Sequence, residues 1–265
     1  MRIYTYYTNI RFRDQDELIH LWKESWERMG FEAIVLNEKY AQRHPDYQDF
    51  IDKIRFIHSK VTGKPIKLYG LCCYVRWLAY AMVGRDEDPT TPAMNERFLV
   101  SDYDVINNGW EPSYFSSEKM HFFDEACPCL VYGSSIEFDL LCRAFFDITM
   151  MRLEDNIKIL DKGYHDQNFF INNFTKQNNL TVEKLLKKYN MVMTRNPDEH
   201  VAPFNPDKKQ TCKAFHISHH NTGKIVDMYP EKYNLSDYKH RGQCLNKARI
   251  EIIKEIFKDQ ENDNI

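Results

Sequence analysis
With 265 residues and 43% hydrophobic content, the chain has material for one large core or two small ones, and a single domain over 1–265 is expected. A formal charge of −3, with 36 basic and 39 acidic residues scattered along the length, lacks the concentrated basic stripe that a nucleic-acid backbone demands, so no nucleic-acid partner is expected. Seven cysteines without a Cys-x-x-Cys pair, a start unlike a signal peptide, and no run near the roughly 18 apolar residues of a membrane span lead to the expectation of a reduced, cytoplasmic protein with no membrane span.

Residues 2–8, "RIYTYYT", read as a β-rich strand, and "DELIHLWKESWERMG" carries Leu18, Leu21, Trp22, Trp26 and Met29 at helical spacing before Gly30 ends it. "FEAIVLNE" follows as a second strand, which makes a βαβ opening. Residues 40–62 are helical in pattern, and "LCCYVRWLAYAMVG" is a nearly all-apolar helix closed by Gly84. A Pro-rich loop leads to a strand over 97–101, then a loop, a strand at "CLVYGSS", and helices over about 136–160. "HDQNFFINNF" starts a further helix, 181–189 another, "YNMVMTR" is a short strand and "KAFHISHH" a late one. The tail from Ser236 to about Asp259 is an amphipathic helix, with a polar end that frays. This alternation predicts an α/β fold with a mostly parallel central sheet flanked by helices.

Chemistry concentrates where apolar strand 98–101 runs into Asp102 and Asp104, one residue apart, in "FLVSDYDVINNGW". Ligands in open α/β sheets gather at the carboxyl ends of strands, and two close carboxylates stay ionised when a cation lies between them. Hard ions such as Mg²⁺ or Mn²⁺ take such oxygen ligands together with substrate phosphates. The plainer reading is a solvated turn, since Asn107-Asn108-Gly109 is strong turn chemistry. Arg76, the sole charge in its apolar helix, needs an anion, either a structural carboxylate or the aspartate pair and a phosphorylated ligand. His216, Ser218 and His220 share one strand face, with His219 opposite, if the strand continues that far; they are metal ligands or ordinary surface residues. Asp166 and Gln167 open an aromatic helix, where Asp166 is either an N-terminal cap or an acid of the site. The 16 tyrosines and 17 phenylalanines suit flat ligands, and equally a large aromatic core.

In order, "RWLAYAMVG", "FLVSDYD", "HDQNFFIN" and "HHNTGK" resemble the segments of metal-dependent glycosyltransferases of the GT-A fold that carry an Asp-x-Asp motif, over about residues 70–224 together with the βαβ start. The resemblance implies a GT-A-like single domain with a nucleotide-sugar-binding part over 1–105, an acceptor and catalytic part over 106–235, and a C-terminal helix. It implies transfer from a nucleoside diphosphate sugar, with UDP favoured over GDP, to a glycan or other hydroxyl acceptor with Mn²⁺ or Mg²⁺ as cofactor. Asp104 and Asp102 would bind the metal, and His220 or His219 would complete its coordination. Asp102 also contacts the donor, Arg76 and Lys224 meet its phosphates, and Tyr6, Tyr7 and Thr8 lie under the base. Asp166, with Gln167, stands nearest the reacting carbon, and the Asp-Gln form leans towards retention of configuration. Trp110 is the platform for an acceptor sugar, or else packs a loop. Two other classes compete. A haloacid-dehalogenase-like Mg-dependent phosphatase would use Asp102 as nucleophile and Asp104 as acid, and a non-enzymatic carbohydrate-binding protein would use exposed aromatics.

Overall fold
The computed structural model describes residues 1–8, 15–85, 95–123, 127–155, 166–170, 191–193, 201–205, 212–233 and 241–262. The opening is the expected βαβ unit: β1 (Arg2–Tyr6), α1 (Asp16–Glu27) and β2 (Glu32–Leu36). In α1 the buried residues Leu18, Leu21, Trp22 and Trp26 form one stripe, and Asp16 and Glu17 sit in the first turn, where the helix dipole favours negative charge. Gly30, at φ +86°, supplies the left-handed residue that lets the chain reverse into β2.

Three helices cross to the other side of the sheet: α2 (Glu38–Gln42), α3 (Tyr47–Thr62) and α4 (Leu68–Ala81). The chain then enters β3 (Arg97–Ser101), β4 (Val105–Asn107), β5 (Met120–Phe122), β6 (Leu130–Ser134) and α5 (Ser135–Glu154). No linker separates β6 from α5, because Ser134 and Glu137 form a capping box that starts the helix at once. The remaining elements are α6 (Asp166–Phe170), β7 (Met191–Met193), β8 (Val201–Ala202), β9 (Ala214–His216), α7 (His219–Met228) and α8 (Arg241–Asn262). The helix expected over 181–189 lies outside the described residues, as do 156–160 and 236–240 of the other expected helices.

Among the described residues the main sheet has the order β2-β1-β3-β6-β5-β7, and β4-β9-β8 form a second, small sheet. β1 pairs in parallel with β2 and with β3, but β6 runs antiparallel to both β3 and β5. The sheet is therefore mixed, which corrects the mostly parallel expectation. Residues 123–129 between β5 and β6 are too few for a parallel crossover, which takes about a dozen residues or more. The sequence pattern does not reveal β4, β5 or the small sheet, since three-residue strands carry too little alternation to be read.

Alternate residues of the central strands feed two cores. Tyr4, Phe98, Val100 and Val131 pack with α3, α4 and α5 on one side, while Ile3, Leu99, Leu130 and Tyr132 pack with α1, α7 and α8 on the other. Both faces are covered, which is why these strands read as unbroken apolar runs. Between the α2–α3 connection and α5 lies a polar pair, the buried His44 and the half-buried Asp139: His44 Nδ1 accepts from the Asp46 amide (3.1 Å), so Nε2 donates to Asp139 Oδ1 (2.9 Å). That hydrogen bond holds the Asp139 carboxyl below the usual carboxylate range. A depressed acid stabilises the fold above its ordinary range, and the contribution is lost as pH falls through the folded value. Asp139→Asn is expected to cost roughly 1.5–3 kcal/mol at pH 7 in urea denaturation, a difference that shrinks as the pH drops below the carboxylate range.

Candidate functional site
The chain lays β2 on one side of β1 and then crosses to place β3 on the other. The strand order therefore switches direction between β1 and β3, the place where open α/β sheets bind ligands. A pocket of about 130 Å³ lies there, lined by Tyr6, Tyr7 and Thr8 at the end of β1, Asp102, Tyr103 and Asp104 after β3, Tyr69, Cys72, Cys73 and Arg76 from α4, and Gln15 and His219.

Residues 102–105 do form a turn, with the Val105 amide donating to Asp102 O (3.0 Å), but the turn is fixed from several sides. The Trp22 indole donates to Ser101 Oγ (2.8 Å) and that of Trp26 to Val105 O (3.0 Å), so α1 clamps both ends of it. The Asp102 amide donates to Cys129 O (2.8 Å), and the Ile217 amide to Asp104 O (2.8 Å). Both carboxylates are thereby held in place instead of projecting into bulk water. That separates them from an ordinary solvated turn.

Each carboxylate has its own arginine. Arg76 from α4 bridges Asp102 Oδ1 and Asp166 Oδ2, the latter at 2.6 Å, and Trp77 Nε1 also donates to Asp166 Oδ2 (3.1 Å). Arg249 from α8, fully buried, donates from its Nη2 to Asp104 Oδ2 (2.6 Å) and from Nε to Ile217 O (2.8 Å). His216 at the end of β9 brings Nε2 within 3.5 Å of Asp104 Oδ1. Burial works against ionised Asp104, but Arg249 and then His216 overcome it and hold its pKa well below the usual range. Asp102 behaves oppositely: burial, against the pull of Arg76 and reinforced by the Asp104 charge, raises it to about 6. Burial disfavours a charged His216, yet the Asp104 carboxylate pushes its pKa up to about 10.

The arrangement suits a hard divalent cation. Asp104 Oδ1 is buried and accepts no hydrogen bond among the described residues, and Asp102, Asp104 and His216 each offer a ligand atom within 4.8 Å of the others. One oxygen of each carboxylate is taken by an arginine, and Asp104 Oδ1 faces the His216 ring, which must give up its Nε2 proton for an ion to take that place.

The structure brings together Tyr6, Tyr7, Thr8, Arg76, Asp102, Asp104 and His219, and separates the remaining candidates from the pocket. β9 stops at His216 because Ser218 caps α7, its side chain accepting from the Asn221 amide. His219 and His220 are therefore helical. His219 lines the pocket, with Nε2 3.1 Å from Asn246 Oδ1, while His220 and Lys224 are exposed on α7 away from the pocket lining. The histidine beside the carboxylates is His216. Asp166 is 2% exposed, with Oδ1 accepting from the Gln167 amide, and neither Asp166 nor Gln167 lines the pocket; Asp166 is joined to it by its ion pair with Arg76. Trp110 is 2% exposed among Phe115 and Phe123, so it packs a core and offers no face to a sugar. The aromatic ring at the pocket that is open to solvent is Tyr69, 59% exposed.

Arg249 carries a readable signal that the motif reading passes over: it stands on the same helical stripe as Ile252, Ile253 and Ile256, a cation on an apolar face. Comparison of the chain with protein-family models, with curated proteins and with solved structures gave no match. Among the described residues no helix is long and apolar enough to cross a membrane.

Proposed function
We propose that the protein is a metal-dependent glycosyltransferase of GT-A-like architecture that takes its donor, a nucleoside diphosphate sugar, in the pocket between β1 and β3. The observation that carries this reading is the pair of fixed carboxylates at a topological switch point, each paired through one oxygen with an arginine and both within reach of His216. A nucleotide is the ligand class that fits such a position, since it brings phosphate charge to the metal and an aromatic base to the end of β1. Tyr7 and Tyr103, edge to face at 6.0 Å, border that end of the pocket and supply stacking surface.

Asp102, Asp104 and His216 would hold Mn²⁺ or Mg²⁺, which when bound supplies Lewis-acid stabilisation of the negative charge on a departing diphosphate. Arg76 lines the same pocket and adds a fixed cation whose direction is set by Asp166 and by the Trp77 ring, 5.1 Å beneath the guanidinium. Asp166 is thus a positioning residue. Among the described pocket-lining residues the carboxylates are Asp102 and Asp104, both committed to cations, so none serves as general base towards an acceptor hydroxyl. That supports retention of configuration. Tyr69, exposed at the start of α4, takes the role of flat platform for a glycan acceptor. The phosphatase alternative requires Asp104 to deliver a proton, and Arg249 keeps that group ionised.

Thermal shift of the protein with UDP, GDP and their sugar conjugates tests the reading, because a ligand selective for the native state raises its stability. Stabilisation by one nucleotide that requires Mn²⁺ or Mg²⁺ is expected, about 2.7 kcal/mol at a hundred times the Kd. Equal behaviour with and without metal, or no response to any nucleotide, sinks it.

A further inference from the structure
A second group of metal-ligating side chains shares one member with the carboxylate site. Cys127, Cys129 and His216 each present a ligand atom, all within 4.8 Å of one another. Cys129 is buried and Cys127 half-buried, and the thiols are separated in sequence by Pro128 alone. The Cys129 amide donates to Cys127 O at 2.7 Å, closing a three-residue turn whose centre is a proline, the residue with φ already set for it.

Two of the three ligands are registered directly by one frame, the 102–105 turn, and Cys127 is joined to it through its turn with Cys129. Cys129 O accepts from the Asp102 amide, His216 pairs with Val105 across the small sheet, and the adjoining Ile217 amide donates to Asp104 O. A pair of core cysteines needs no such convergence with a histidine from another sheet. Thiolates and imidazole together select borderline and soft ions over the hard ions that carboxylates prefer. Zn–S bonds of about 2.3 Å and Zn–N bonds of about 2.0 Å place ligand atoms roughly 3.5–3.8 Å apart, a contraction that small side-chain rotations supply.

We propose that Cys127, Cys129 and His216 form a thiolate-imidazole site for Zn²⁺ on the flank of the aspartate turn. Three protein ligands leave a fourth position for water or for Asp104 Oδ1, which is 3.5 Å from the His216 ring. Because His216 belongs to both ligand sets, a thiophilic ion bound here withdraws it from the carboxylates. Zinc therefore controls whether the aspartate pair keeps its third ligand. The zinc site itself does not rest on the glycosyltransferase reading.

Cobalt(II) reports on the site directly. The full chain, reduced and stripped of metal, is titrated with Co²⁺, and a strong near-ultraviolet thiolate-to-cobalt charge-transfer band is expected at about one equivalent, displaced by Zn²⁺. Cys127→Ser should lose about half of that intensity and Cys127→Ser/Cys129→Ser all of it. A second measurement covers variants that do not fold: in the unmutated protein, Zn²⁺ should slow alkylation of Cys127 and Cys129 at least tenfold by peptide mapping. Weak d–d bands without charge transfer, a band that survives the double substitution, or alkylation rates at these two cysteines that ignore Zn²⁺ would each overturn the proposal.

Discussion
Arg249→Met is expected to cost about 3–5 kcal/mol, the penalty for stranding a buried charge when its partner is removed. In a chain of this size that is a fall in Tm of roughly 6–20 °C. Arg249 is fully buried against Asp104, and its Nε also satisfies Ile217 O, so methionine removes a counter-charge and a hydrogen-bond donor together. Asp104→Leu should be at least as damaging, since it strands the buried Arg249 and removes the carboxylate nearest His216. The double variant Arg249→Met/Asp104→Leu should recover much of the loss, because replacing both members of a buried pair by apolar groups is often close to neutral. Chemical denaturation of the four proteins gives the coupling energy. Single variants that each lose under 1 kcal/mol would show that Asp104 is solvated and that the pair is incidental. The effect also has a pH signature. With its pKa held below the ordinary range, Asp104 stabilises the fold above that range, and the advantage disappears only when strong acid protonates it.

The second large effect concerns the other arginine. Arg76→Met should weaken Mn²⁺ binding at pH 7 by tenfold or more, with little change at pH 9. Asp102 sits at about 6 even with Arg76 beside it, and burial is the main reason. Removing the guanidinium raises it further, and every unit by which its pKa exceeds the pH costs about a factor of ten in the ionised fraction. The midpoint of the pH profile for metal binding should therefore move upward, which isothermal titration at several pH values would measure. Arg76→Lys keeps the charge but lacks the planar fork that reaches Asp102 and Asp166 at once, so it should fall between the two. An unshifted profile in Arg76→Met would dissociate Arg76 from the carboxylate chemistry. For stability the sign is opposite to that of Asp104. A buried acid with a raised pKa favours the fold most in acid, and that contribution is lost as pH climbs from about 4 to about 6.

Much of the central frame is legible in the sequence because its signals are local. The α1 stripe, the apolar runs of β1, β2 and β3, and the charge embedded in α4 follow from periodicity and from the cost of burying a cation. Asp102, Asp104 and Arg76 stand out for that reason, and they do meet in space. What cannot be read depends on capping and on distant contacts. "FHISHH" continues as a strand by pattern, but the Ser218 hydroxyl caps a helix there instead. His219 and His220 leave the strand with that helix, and the histidine beside the aspartates is His216. For Trp110 the sequence leaves a platform and a packing role open, and Phe115 and Phe123, neither at a periodic spacing from it, enclose its ring and decide for packing. The direction of β6 is set by the length of one loop, not by its own residues.

The Arg249 contact also fixes when the protein can mature during synthesis. The ribosome must add 145 residues after Asp104 before the cation that neutralises it exists. At ~5–20 residues per second that is an interval of roughly 7–30 seconds in which the nascent chain carries an acid with no mate. Proteolysis or premature termination that removes the last helix would leave a polypeptide with most of its sheet and a defective centre.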